Sequence, residues 1–183
     1  MSEAISALQS ASHSGFAAVA EAGLCGMISV RGDLSSRSLA AAVRDVTGTD
    51  LPGPRRILHK SDRSLAWMSP DELLILLPYA DAPAVVSGLA DGLAAEHALV
   101  TDVSDARAVF TISGPEADHV LRKLSPADID VLAPDEIRRT RIAQVAGAFW
   151  RSGEEEFTVV TFRSVAQYVF DLLATASEVG TEL

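Results

Sequence analysis

Asp102, Asp105 and Arg107 form the densest charged group in an otherwise apolar stretch, LVTDVSDARAVFTISG at Leu99–Gly114. Three uses suit that trio. Two carboxylates could exchange protons beside a bound amine. Arg107 could instead bridge Asp102 or Asp105 and pin a turn between two strands, since guanidinium–carboxylate pairs are strong and directional. The guanidinium could also sit in an interface, where arginine is enriched. The bridge is the preferred reading. Arg31 closes the run GMISVR. Arg163 stands directly before the last helical stretch, where it could hold an anion, hold a partner carboxylate or serve as surface charge.

The other chemistry-bearing residues form no set. Asp71-Glu72 and Glu154–Glu156 fall in expected hairpin turns and are read as solvated. A glycosidase pair would need them across one cleft. His13, His59, His97 and His119 are far apart, so each is read as exposed or capping. Cys25 is the only cysteine. Its neighbours Leu24 and Met27 suggest a packing residue, with no His or Lys near it to activate a thiolate. There is no Gly-rich phosphate loop, no HExxH and no GxSxG. The expected catalytic, cofactor-binding and metal-binding sets of this chain are therefore empty.

The elements around these residues follow from apolar spacing. Residues 1–14 are Ser/Ala-rich without a period and read as a flexible arm. Phe16–Glu21 and Leu24–Val30 read as strands around a Gly-containing turn, with Gly26 hinting at a bulge. Ser35–Val46 repeats Leu39, Val43 and Val46 at helical spacing, and Gly48 ends it. The tripeptide Arg31-Gly32-Asp33 is read as a strand-end turn. LAWM–SPDE–LLILL reads as a tight hairpin, because LLILL has no polar position and stops at Pro78. Ala82–Ala95 is a helix with Pro83 in its first turn. Strands are expected at Arg107–Ser113, Ile137–Gln144, Ala146–Arg151 and Phe157–Phe162. Helices are expected near 115–124 and at Val165–Ala174.

The two halves repeat. Trp67-Met-Ser69-Pro70-Asp-Glu-Leu73 matches Trp150-Arg-Ser152-Gly153-Glu-Glu-Glu-Phe157. Both halves read strand, helix, one or two strands, hairpin, strand, helix. This predicts an α+β fold. Two tandem pseudo-symmetric βαββα units pack together, with mainly antiparallel sheets and helices on one face. The expected division is an arm at 1–14, a first half at 15–97 and a second half at 98–183.

The chain has 183 residues and a formal net charge of −10. That length can bury a core without disulfides. The acidic balance argues against a nucleic-acid partner. No apolar run approaches the ~20 residues that span a bilayer, and the start lacks a basic leader, so a cytoplasmic protein is expected. Mean hydropathy is +0.22, and a partner is one outlet for excess apolar surface.

Five segments in order resemble the gamma subunit family of heterotetrameric sarcosine oxidase. They are Gly26–Leu34 (GMISVRGDL), Trp67–Leu74 (WMSPDELL), Asp102–Phe110 (DVSDARAVF), Arg139–Ala143 (RTRIA) and Phe162–Ser164 (FRS). The second half also resembles, more faintly, the folate-binding domain of the glycine-cleavage aminomethyltransferases. The resemblance implies a non-catalytic subunit of an enzyme that demethylates sarcosine oxidatively to glycine, releases peroxide and passes the one-carbon unit to tetrahydrofolate. It implies that FAD, FMN, NAD, folate and zinc belong to partner subunits, and that gamma docks chiefly on alpha in a complex with beta and delta. Arg31, Asp105, Arg107 and Arg163 lie in the matching segments and become candidates for a subunit interface or a structural role. A stand-alone folate or one-carbon binder, and a ligand-free oligomeric scaffold, remain the alternatives.

Overall fold

The structure is a computed structural model that describes residues 3–183. Short strands β1 (Ser12–Ser14) and β2 (Ala18–Glu21) come first. Then follow β3 (Gly26–Arg31), helix α1 (Arg37–Thr47), β4 (Ile57–Lys60), β5 (Arg63–Ser69), β6 (Glu72–Leu77) and helix α2 (Ala82–Gly92). Strand β7 (Leu99–Asp102) leads into the second series. That series is β8 (Arg107–Ser113), α3 (Ala117–Leu124), β9 (Ile137–Ile142), β10 (Val145–Gly153), β11 (Glu156–Phe162) and α4 (Ala166–Ala176).

Local chemistry sets the boundaries. The Leu39 N–H donates to the Ser36 hydroxyl at 3.3 Å and caps α1. Gly48 ends it at φ 71°, its N–H donating to the Arg44 carbonyl at 2.7 Å. Glycine alone takes that left-handed conformation without strain. Leu39 and Val43 are buried, as their spacing predicts. β5 and β6 form the expected hairpin, with Ser69 opposite Glu72.

The strands make two antiparallel sheets. One has the order β4-β5-β6-β3-β7, the other β1-β2-β8-β11-β10-β9. Within them β4-β5-β6-β3 and β9-β10-β11-β8 repeat the same arrangement, and each series carries two helices. The first sheet turns Ile28, Val30, Leu73 and Ile75 towards Leu39, Val43, Val85 and Leu89 of its helices. The second turns Phe110, Ile112, Phe157 and Val159 towards Val120, Leu121, Val169 and Leu173. The alternate residues Met27, Ala66, Leu74 and Leu76 are buried as well. An apolar run such as LLILL, with no polar position, meets that demand.

Four sequence expectations need correction. First, β2 and β3 do not share a sheet. β2 pairs with β8, and β7 pairs with β3. The chain accordingly divides into Cys25–Ser104 and a second unit built from residues up to Leu24 with Asp105–Leu183, whereas a division near 97 was expected. Alternation tells which face a side chain takes, not which strand lies beside it. Second, β3 runs against β6 in unbroken register from Gly26↔Leu77, so Gly26 marks no bulge. A Cβ there would lie 2.9 Å from the Pro78 carbonyl oxygen, so the glycine serves close backbone approach.

Third, the arm is held from Ile5 to Ser14; residues 1–2 lie outside the described residues. Serines 12 and 14 pair with Ala20 and Ala18. Fourth, the matching tryptophans are one position apart in register. The bulge skips Met68 in one hairpin, leaving Trp67 opposite Leu73. It skips Ser152 in the other, where Arg151 faces Phe157 and Trp150 faces Thr158. Counted from the bulges, Trp67 corresponds to Arg151. One position in a strand reverses the face, and only Trp150 is fully buried, at 4% exposure.

Candidate functional site

Asp105, Arg107 and Arg163 come together at one end of the six-stranded sheet. Asp105 lies in the short turn Ser104–Ala106 that leads into β8. Arg107 opens β8 opposite Phe162, the last residue of β11. Its guanidinium sits over the Phe162 ring, 4.2 Å from the centroid, in cation–π contact. Asp102, expected as a partner of Arg107, accepts the Ser104 N–H at 2.9 Å and also its hydroxyl. Ser104 in turn accepts the Met27 N–H at 2.9 Å. The turn is therefore fixed in part by a serine relay, which no charge pattern reveals.

Arg163 has a specific task. It donates to the carbonyl oxygens of Ile5 at 3.0 Å and Ser6 at 3.2 Å. The same arm is gripped from inside by Glu21, which is 6% exposed. Glu21 accepts the Ser6 hydroxyl at 2.8 Å, the Leu8 N–H at 2.9 Å and the Ser10 N–H at 2.8 Å. Hydrogen bonds to a charged group contribute about 1.5–3 kcal/mol each. Gln9 and Ser10 take φ of 55° and 65°, which turns the arm so that its amides converge on the carboxylate. Sequence reading missed Glu21. The available signal was its phase: with Val19 it occupies the inward face of β2, in step with buried Ala17 just before the strand, and an inward carboxylate needs donors.

Arg31 lies apart from these, in the five-stranded sheet. It donates to Glu72 at 2.8 Å, and the Ser29 hydroxyl donates to the same carboxylate at 3.2 Å. Glu72 is 5% exposed, so the expectation that it is solvated is wrong. Its place opposite Arg31 across the β3–β6 ladder buries it. Asp71, at the hairpin tip, is exposed. Burial pushes the Cys25 thiol above its ordinary value, consistent with a packing role. Among the described residues, no group of three or more His, Cys, Asp or Glu side chains is placed to hold a metal ion. No described helix is long and apolar enough to cross a membrane.

The family model described as "Sarcosine oxidase, gamma subunit family" matches residues 31–179. The chain belongs to this family. The sarcosine oxidase subunit gamma of Corynebacterium sp. (strain P-1) is similar at 31% identity over 147 residues, 78% of this chain and 71% of that protein. A chain of the heterotetrameric sarcosine oxidase from Corynebacterium sp. U-96, solved in complex with pyrrole 2-carboxylate, has TM-score 0.80 and 27% identity. That match covers 91% of this chain and 87% of that one. The aminomethyltransferase T of the glycine cleavage system from Bartonella henselae shares the fold at TM-score 0.66 and 18% identity, over 94% of this chain and 48% of that one. Arg31, Asp105, Arg107 and Arg163 fall within the span matched by the gamma family, and Glu21 with its arm falls before it.

Proposed function

We propose that this chain is the gamma subunit of a heterotetrameric sarcosine oxidase, with a structural and assembly role. The fold match to a chain of the Corynebacterium sp. U-96 heterotetramer, over 91% of this chain, carries the reading. The complex proposed for this chain oxidises sarcosine to glycine with release of peroxide and passes its one-carbon unit to tetrahydrofolate. In this proposal FAD, FMN, NAD, folate and zinc belong to alpha, beta and delta subunits, and this chain docks chiefly on alpha. The charged side chains support a scaffold role. Arg31 with Glu72, and Glu21 and Arg163 with the arm, spend their hydrogen bonds on strands and loops of this chain.

The test is to tag the chain in its native host and purify it gently. Intact masses, an absorbance spectrum and peroxide release from sarcosine are then recorded. A yellow complex with larger chains that turns over sarcosine is expected. A colourless chain that arrives alone, with a melting temperature raised by tetrahydrofolate, would replace this reading with the stand-alone folate binder.

A further inference from the structure

The outer edge of β7 is open. β7 ends the five-stranded sheet, and among the described residues no strand pairs on its far side. The Val103 N–H donates to the Met27 carbonyl at 2.8 Å, in line with the register Ile28↔Asp102 to Arg31↔Leu99. Antiparallel alternation then turns the backbone groups of Leu99 and Thr101 towards β3. Those of Val100 and Asp102 point outward. Leu99 is 58% exposed at one end of this edge, and Asp102 is exposed at the other.

The matching edge of the other sheet is covered. There β2 holds beside β8 the place that β7 holds beside β3. Its far side pairs antiparallel with β1, Ser12–Ser14 against Ala18–Ala20. This fold therefore accepts a short added strand at such an edge. The five-stranded sheet has none of its own among the described residues.

Charge selects the occupant. Asp33 and Asp71 line a depression of about 600 Å³ at the Leu99 end. Arg31 is the guanidinium of this depression; it reaches Glu72 at 2.8 Å and lies 4.0 Å from Asp71. Glu72 takes up that guanidinium, which leaves the exposed Asp33 and Asp71 as the carboxylates of the depression, with His97 beside them. A second copy of the chain would bring the same carboxylates and its own charge of −10. We propose that β7 accepts an extended lysine- or arginine-bearing segment of another subunit as an added antiparallel strand. The backbone groups of Val100 and Asp102 bind its main chain. Asp33 and Asp71 select its cations. This rests on the gamma-subunit reading.

Hydrogen exchange tests it, comparing the free chain with the complex purified from the native host. The Val100 and Asp102 amides should exchange at least tenfold more slowly in the complex. Val100→Pro removes an outward N–H and spares the ladder to β3. It should keep the melting temperature of a Val100→Ala control and weaken assembly at least tenfold. Asp33→Lys should weaken assembly in the same direction. A complex that forms with both amides exchanging as in the free chain overturns the strand addition and leaves the gamma-subunit reading intact. Protection already present in a free chain that sediments as a dimer also overturns it, in favour of a second copy. Failure of larger chains to copurify with the wild type sinks both.

Discussion

A carboxylate that accepts three donors cannot be exchanged for an amide without loss. In Glu21→Gln, one of the Leu8 and Ser10 N–H groups meets an NH2 in place of an oxygen. Denaturant unfolding should show a loss of about 1–3 kcal/mol. The Leu8 and Ser10 amides should also exchange faster, and unchanged exchange would mean that Glu21 does not hold the arm. Cys25 makes a prediction with a defined sign. Its folded thiol titrates above its ordinary value of 9.0, so the folded chain keeps the proton longer than the unfolded chain does. That contribution to stability is complete below about pH 9 and is lost as pH rises through the folded value. The fall in melting temperature from about pH 8 to pH 10 should be smaller in Cys25→Ala than in the wild type. Charge density singled out Arg107, its place before the last helix Arg163, and the family resemblance Arg31. Their partners were not legible: Glu72 and Phe162 are fixed by strand register, and the Ile5 and Ser6 carbonyls that Arg163 binds have no side-chain signature. Glu21 shows the same limit from the acceptor side.

Helices and strands followed closely from apolar spacing, because each buries a regular face against its own core. Leu39 and Val43 on α1 and the unbroken LLILL of β6 are the plainest cases. Strand partnership did not follow, since β2 and β3 read as a hairpin across Gly23 and lie in different sheets. The tryptophan motif misled in a smaller way. Its letters align, but the bulges place Trp67 and Trp150 on different positions of equivalent hairpins. Truncation separates the two. Trp150→Ala empties a buried site and should cost about 3–5 kcal/mol. Trp67 is only half-buried, so Trp67→Ala should cost clearly less in the same thermal or denaturant assay. Equal losses would show that the register difference has no energetic consequence.

At the scale of the whole chain, the fold class and the repeat were legible, and the division at 97 was not. Two crossings decide the division: β2 leaves the first series for the second sheet, and β7 is its counterpart in the first sheet. Removing residues up to Leu24 should expose the β8 edge beside Phe110 and Ile112. An uncovered apolar edge recruits other chains. Light scattering should show aggregation of that truncated form at concentrations where the full chain stays clear. The same crossing sets an order on the ribosome. A hairpin closes in about 1–10 μs. Synthesis proceeds at about 5–20 residues per second. Ala20 pairs with Thr111, roughly 90 residues downstream, so β2 waits on the order of ten seconds for its neighbour. Cys25–Ser104 holds its whole sheet in one continuous segment and can close during that interval. The strand made second in this chain thus finds its place only after every strand of the other sheet has been made.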